Sequence, residues 1–324
     1  MTTNRGTLSM VTRVAAAVAG VAILAGCSTA GSASSSGDKA SSPTAAAVVD
    51  TTSAGGTSAD RSNSTVEAAN EKTVLTLLAD VFPDPTSESA KTEAAAVVAP
   101  DAVAHGTGLA AGPSGLLDQF AAAHTRVANA QAVVKHAAAD GDLVAVHWQV
   151  ASDPNDERTG EAAVDLFRVT DGKIVERWSF AQPIPTGTPA SGNTNTMFSD
   201  LYAKAAKPGS VTEAQEETNR TFAVGAYNTL FRDQDVSVLD TSFDPNYLQH
   251  NSVAPNGTAA LKGFFSGSTK FPPQESSISL SDGDLVWTFS QSVGAKASDP
   301  FLAVDIFRVD DKLIREHWDV VPAS

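Results

Sequence analysis

The sequence predicts an α+β fold that is built twice within one chain, and three observations carry that expectation. Blocks of the first half return in the second half in the same order. In each copy, helical periodicity comes before strand-like apolar runs, and turn dipeptides punctuate those runs. Helices followed by consecutive strands imply an antiparallel sheet with helices on one face.

The repeat is read from three blocks. Gly141-Asp142-Leu143-Val144 returns as Gly283-Asp284-Leu285-Val286. Ala163-Val164-Asp165-Leu166-Phe167-Arg168-Val169 returns as Ala303-Val304-Asp305-Ile306-Phe307-Arg308-Val309, and Glu176-Arg177-Trp178 as Glu316-His317-Trp318. The repeat length is that of a whole domain, well above the solenoid range of about 20–50 residues.

Each copy opens on a helix. Ser64 and Glu67 have capping-box spacing ahead of Val74, Leu77, Leu78 and Val81 on one face. Thr212 and Gln215 stand in the same relation to Phe222, Leu230 and Phe231. Ser114 and Thr258 are expected to cap a shorter helix in each copy, carrying Leu116, Leu117 and Phe120, or Leu261, Phe264 and Phe265. Strand candidates follow. In the first copy, 132–139 turns at Asp140-Gly141 into 143–150, and 162–170 turns at Asp171-Gly172 into 173–181. The second copy matches with 277–281, 285–293, 301–309 and 313–321.

The remaining segments have other compositions. Arg5 and Arg13 precede an apolar run from Val14 to Ala25, the layout of a secretory signal and too short for a permanent span. The run ends in Leu24-Ala25-Gly26-Cys27, which resembles the bacterial lipobox. That resemblance implies that Cys27, the one cysteine of the chain, is lipidated and becomes the mature N-terminus. Two acyl chains suffice for stable anchoring. Residues 28–63 are mostly Ser, Ala, Thr and Gly and read as a disordered tether spanning roughly 35 Å. The expected organisation is 1–27 signal, 28–63 tether, 64–183 first domain, 184–211 linker and 212–324 second domain. The expected place is the extracytoplasmic side of a cell membrane.

Net charge is −15, and beyond residue 27 only 20 basic side chains face 37 acidic ones. Such a surface repels phosphate backbones, so no nucleic-acid partner is expected. A single cysteine excludes an intramolecular disulfide. No glycine-rich phosphate loop and no Gly-x-Ser-x-Gly elbow is present, and no cofactor or metal is expected.

The order of helix, His-containing loop, short helix, Gly-Asp-Leu-Val strand, Val-Asp-Ile-Phe-Arg strand and Glu-His-Trp-Asp strand resembles the nuclear-transport-factor-2-like superfamily. Within it, the SnoaL-like domains are most similar. Tyr247-Leu248-Gln249-His250-Asn251 and Glu316-His317-Trp318-Asp319 carry the resemblance best. It implies two tandem cones, each a curved antiparallel sheet wrapped around helices, with a pocket at the open end. It also implies an acid/base carboxylate at Asp319 in cofactor-free proton transfer next to a carbonyl. Asp305 stands where the cyclase has a partner histidine, a departure from the enzyme pattern. His317, His250 and Tyr247 complete the candidate pocket of the second copy.

Two carboxylates in one small cavity would titrate apart and supply both an acid and a base. The alternative is a solvated Asp319, a loop-satisfying His250, and Asp305 paired with Arg308. Strand parity leaves the matter open. A two-residue turn at Asp311-Lys312 would place Asp305 and Asp319 on opposite faces, and a bulge would restore a common one. The first copy has Asp165, His105, Ser179 and an extra His147 as pocket candidates, with Arg177 in place of His317. A metal held by His105 and His147 is a weaker reading than a buried, hydrogen-bonded histidine. Trp287, Phe289 and Trp318 either fill the second pocket or line it.

These readings point to an exported lipoprotein whose paired cones bind a small apolar ligand or an envelope partner, the two copies pairing through open sheet faces. A cofactor-free isomerase, cyclase or hydratase in the second copy is the alternative, and a structural module with filled pockets is a third.

Overall fold

The computed structural model describes residues 58–322 except 107 and 268–270, with side chains from 64 onward. The signal segment, Cys27 and most of the tether lie outside the described residues. In the first copy, α1 (Ser58–Thr76) opens within the segment read as tether and runs into a π-helical turn at Leu77–Val81. Then come α2 (Glu88–Val97), β1 (Val98–His105), α3 (Gly112–Arg126), β2 (Gln131–Asp140), β3 (Leu143–Ala151), β4 (Glu161–Thr170) and β5 (Lys173–Pro183). The second copy has α4 (Glu213–Phe231), a 3-10 turn at Val236–Asp240, β6 (Phe243–Gln249), α5 (Thr258–Ser266), β7 (Gln274–Asp282), β8 (Leu285–Ser292), β9 (Ala303–Asp310) and β10 (Leu313–Val320).

The fold is α+β, and the two five-stranded sheets have the same order, β1-β5-β4-β3-β2 and β6-β10-β9-β8-β7. Each sheet is mixed rather than wholly antiparallel, because β1 and β6 join the edge parallel to β5 and β10. Those two strands escape the sequence pattern. Each carries a proline, Pro100 or Pro245, which an edge strand tolerates and a central strand does not.

The caps differ from expectation except at Thr212, whose hydroxyl accepts from the Gln215 amide at 3.3 Å. Ser114 lies inside α3, which starts behind Ala111 with a proline in its first turn. Gly257, at φ 76°, precedes α5, so Thr258 is its first helical residue. Ser64 is likewise within α1, and the Glu67 carboxylate instead accepts from the Gly141 amide at 2.7 Å. The first hairpin turns at Gly141-Asp142, because Asp140 already pairs with Leu143. The last hairpins are two-residue turns with positive φ at both positions, Asp171-Gly172 and Asp311-Lys312.

Alternation along the strands separates two faces. Val144, Val146, Trp148 and Val150 of β3 pack under the helices with Leu77, Leu78, Phe82, Leu116 and Phe120. In the second copy Tyr227, Tyr247, Val286, Phe307 and Ile314 form the corresponding core. The other faces of both sheets contribute to a single apolar cluster that includes Leu166, Trp178, Phe180, Trp287, Phe289, Ile306 and Trp318. Trp287, Phe289 and Trp318 therefore neither fill nor line a pocket in the second cone.

The segment 184–212 has no regular elements, yet it is tightly held rather than a free connector. Met197 and Phe198 are buried in the shared cluster. Asn193 donates to the carbonyls of Gln249, Asn251 and Ala254, and the Leu201 amide donates to Glu316 at 2.6 Å. It lies as a strap along the second copy.

Where the two copies meet at β2 and β7, acidic side chains crowd together. Asp282 accepts from the Ala139 amide and Asp140 from the Ser281 amide, both at 3.0 Å, a reciprocal pair. Glu67 and Glu216 take the same role in each copy, accepting from Gly141 and Gly283. Burial, reinforced by neighbouring carboxylates, pushes both up to about 7. A folded value above the unfolded one means that their stabilising protonation is complete at low pH and is lost as pH rises through about 7. Stability should therefore fall as pH rises from about 4.5 to about 7 and level off above that. Glu67→Gln keeps the acceptor for Gly141 and should raise the melting midpoint at pH 8 by about 2–4 °C, with little change at pH 5. Equal shifts at both pH values in a thermal melt would refute this assignment.

Candidate functional site

A cavity of about 750 Å³ opens at the first cone. Its inner wall is Phe120 and Ala123 of α3, Trp148 and Val150 of β3, Ala163 of β4, and Ser179 and Ala181 of β5. Alternation explains the selection, since Trp148, Ala163, Ser179 and Ala181 all point under the helices. Arg126 and Glu161 close one rim with a two-point ion pair at 2.8 and 2.9 Å. His105 stacks on Trp178 at 4.7 Å on another side. The second copy completes the wall with Ser298, Asp299, Pro300, Phe301 and Pro322.

Beneath Ser179 lies a buried polar group. Asp165 accepts from the Trp148 indole at 2.7 Å, from Gln119 at 3.3 Å and from the Ser179 hydroxyl. Arg177, 1 % exposed, donates to the Gln119 side-chain oxygen and to the Ala110 carbonyl at 2.9 Å. Gln119 thus links a buried carboxylate to a buried guanidinium. Burial holds Asp165 above its usual range, against its hydrogen bonds, and holds Arg177 below its own. With one charge of each sign the floor is neutral. It offers a ligand the Ser179 and Gln119 side chains.

In the second cone, the register settles the parity question. Arg315 is an extra residue between the Ile314–Val309 and Glu316–Arg308 pairs, so Asp319 stands directly opposite Asp305. His317, two residues before Asp319, shares that face. Its Nε2 lies 3.0 Å from Asp305 Oδ1 and its Nδ1 2.8 Å from Gln249 Oε1. Asn251 donates to Asp319 at 2.6 Å. Tyr247 stacks 6.2 Å from the His317 ring, and burial pushes its hydroxyl and that of Tyr227 well up. Burial likewise raises Asp319, to about 6, with the Asp305 charge adding to the effect and His317 opposing it. Asp305, His317, Asp319 and Tyr247 therefore come together, but none of them lines the 750 Å³ cavity.

Two predicted pocket residues belong elsewhere. His250 stacks on Trp318 at 5.0 Å on the outer face, with Nε2 2.9 Å from Glu316 and Nδ1 at the Thr196 carbonyl of the strap. The strap seals it from any cone mouth. His147 also points outward, because its neighbours Val146 and Trp148 take the inner face. It meets His136 at 3.1 Å and packs on Phe198, and burial holds its imidazole well below its usual value. A metal shared by His105 and His147 has no geometric basis. Arg308 pairs with Asp284, Glu316 and Asp200 and not with Asp305.

Sequence reasoning missed Gln119, Trp148, Tyr227 and the Arg126–Glu161 pair. Gln119 was recoverable, as a polar residue directly beside Phe120 in the apolar run of α3.

Comparison with known proteins agrees with this architecture. Residues 88–177 match the family described as the SnoaL-like domain, so the first cone is a SnoaL-like domain of the nuclear-transport-factor-2-like kind. Similar crystal structures include a candidate SnoaL-like polyketide cyclase from Jannaschia, at 20 % identity over 36 % of this chain and 88 % of that one, with a TM-score of 0.29. A candidate isomerase of the SnoaL-like family from Agrobacterium tumefaciens is 16 % identical over 36 % of this chain and 98 % of its own, with a TM-score of 0.30. An epoxide hydrolase of M. tuberculosis, described as LEH-like, is 17 % identical over 36 % and 85 %, with a TM-score of 0.28. These likenesses carry no argument about chemistry. No curated protein matches the chain.

The polar floor of the first cone yields a stability prediction. Asp165→Asn removes the charge that offsets Arg177, and an uncompensated buried charge is strongly destabilising. The expected loss is about 3 kcal/mol in urea unfolding, at the low end because Gln119 and Ala110 still bond the guanidinium. A loss below about 1 kcal/mol would show that Arg177 does not depend on Asp165.

Proposed function

We propose that this chain is an exported, lipid-anchored binding protein that holds a small, largely apolar ligand in its first cone. The observation that carries the reading is the 750 Å³ cavity, which runs from Phe120 and Trp148 inside the first cone to Trp178, Phe180 and Phe301 on the outer side of β5, with a few polar groups at defined points. Its size falls within the range of small-molecule sites, and an apolar wall with sparse convergent polar groups is the usual makeup of such sites. A ligand would gain most of its affinity by burying apolar surface against the rings. Ser179 and Gln119, whose own donors are committed to Asp165 and Ser179, would accept one hydrogen bond from it, which sets orientation more than strength.

The anchor belongs to the same proposal and rests on the sequence. Among the described residues no helix is long and apolar enough to cross a membrane, and the Leu24-Ala25-Gly26-Cys27 segment is the one candidate attachment in the sequence. Acid/base catalysis in the second cone has weaker support, since its carboxylates do not line the cavity.

Native mass spectrometry of protein purified from its own membrane should reveal a bound small molecule. Ala163→Trp fills the cavity from β4 and should cut affinity for that molecule at least tenfold, about 1.4 kcal/mol. Retained affinity in a folded Ala163→Trp variant would place the ligand elsewhere. Cys27→Ala should abolish incorporation of labelled fatty acid and release the chain or leave its precursor. Persistent labelling of that variant would refute the anchor.

A further inference from the structure

The second cone contains a grouping that ligand binding in the first does not use. Asp305, His317 and Asp319 each offer a ligand atom, and these atoms lie within 4.8 Å of one another. The two aspartates are 4 % and 9 % exposed. Asp305 Oδ2 and Asp319 Oδ1 are buried with no hydrogen-bond partner within 3.5 Å, and the Tyr227 hydroxyl makes only longer contacts, with Asp305 and Ser290. An unsatisfied buried carboxylate oxygen is costly, and here two of them share one cluster.

The donor role of His317 Nδ1 follows from its surroundings. The Asn251 backbone amide donates to Gln249 Oε1 at 2.9 Å, so that atom is an acceptor. The same oxygen is 2.8 Å from His317 Nδ1, which must therefore be the N–H donor. In a neutral imidazole this leaves a lone pair on Nε2, aimed at Asp305 Oδ1 3.0 Å away. Two lone pairs at that distance need either a proton or a metal ion between them. A histidine whose far nitrogen donates to an outer acceptor is the usual arrangement of a metal ligand.

Charge tells the same story by comparison with the first cone. There Arg177 supplies a positive charge beside Asp165, and Ser179 is neutral. Here His317 replaces the guanidinium and a second carboxylate, Asp319, is added. Among the described residues, Asp305 has no ion pair except with His317, and Asp319 has none. A divalent cation would bring this group of two carboxylates to neutrality.

We propose that Asp305, His317 and Asp319 form a binding site for one divalent transition-metal ion of the zinc class. One imidazole with two carboxylates suits zinc, manganese or iron(II) rather than calcium or magnesium, which take oxygen ligands alone. Ligand atoms on an ion at about 2.1 Å stand roughly 3.0–3.4 Å apart, so the His317–Asp305 pair already has the required separation. Asp319, whose ligand atom lies within 4.8 Å of the other two, closes onto the ion by a side-chain rotation. Tyr227 lines the remaining side.

The test uses the full-length, untagged protein, stripped with a chelator and titrated with zinc and, separately, cobalt(II). The expected result is saturation at one ion per chain, visible ligand-field bands with cobalt, and a midpoint rise of about 5–10 °C at zinc a hundredfold above its dissociation constant. X-ray absorption at the zinc edge should report one imidazole in a nitrogen and oxygen shell. Asp319→Asn should lose the bands and the stabilisation. The double variant His317→Arg with Asp319→Ser installs the first cone's own set, and should fold with a zinc-independent midpoint. If the wild type neither saturates nor shifts, a proton on His317 holds the cluster and the proposal fails. Binding that persists in the double variant, or a zinc shell without imidazole, places the ion on the acidic surface and equally overturns it.

Discussion

One extra residue in the last hairpin of each cone fixes which side chains face inward. It is Val175 in the first, between the Ile174–Val169 and Glu176–Arg168 pairs, and Arg315 in the second. Because strand side chains alternate with period two, removing that residue would transfer every later position of β5 and β10 to the opposite face. Ser179 and Asp319 would leave the cone interiors, and Trp178 and Trp318 would leave the shared apolar cluster. The interior chemistry and the join between the copies therefore rest on the same local irregularity. A second shared bulge, at Lys135 and Ser277, sets β2 and β7 in the same way and brings His136 opposite His147.

The copies also share a polar ladder on their outer faces, but it sits in different surroundings. His105, Glu176, Arg168 and Asp142 are linked at 2.8, 3.0 and 2.7 Å, and His250, Glu316, Arg308 and Asp284 at 2.9, 3.1 and 3.1 Å. In the first copy the histidine and glutamate side chains are 29 % and 26 % exposed, whereas in the second both are fully buried. The strap over 184–212 accounts for the difference, adding the Leu201 and Tyr202 amides to Glu316 and Asp200 to Arg308. A buried ion pair contributes specificity more dependably than stability, and here it fixes where the strap docks. The same ladder thus reaches a cavity through His105 in one copy and anchors a strap in the other.

Much of this was legible in the sequence because it follows from periodicity and from the repeat. The eight antiparallel strands and the α4 cap at Thr212 are stated by alternation, turn dipeptides and spacing. The parallel edge strands were not, since Pro100 and Pro245 break the strand pattern without breaking an edge. Nor was the strap, because its composition is that of a linker and its hold comes from long-range partners such as Glu316. At the candidate sites, Asp305, His317, Asp319, Asp165, Ser179 and His105 could be named from motif position. Which of them meet could not, because one bulged residue decides it and no local signal marks Arg315 as bulged. His147 and His250 went to the wrong face for that kind of reason, and because the strap was invisible.

The cavity of the first cone is not the property of one copy. Phe301, from the second, lies 6.4 Å from Trp178, 6.0 Å from Phe180 and 5.8 Å from Phe289. It belongs at once to the cavity wall and to the apolar cluster between the sheets. Packed interiors transmit displacement rather than absorb it, so a movement of one sheet against the other must change the shape of the wall. Occupancy of this cavity by the proposed ligand and docking of the copies would then be linked quantities: whatever tightens the cluster favours one cavity shape, and a ligand preferring that shape tightens the cluster by the same amount. The second copy thus supplies one wall of the first copy's cavity through Pro300 and Phe301.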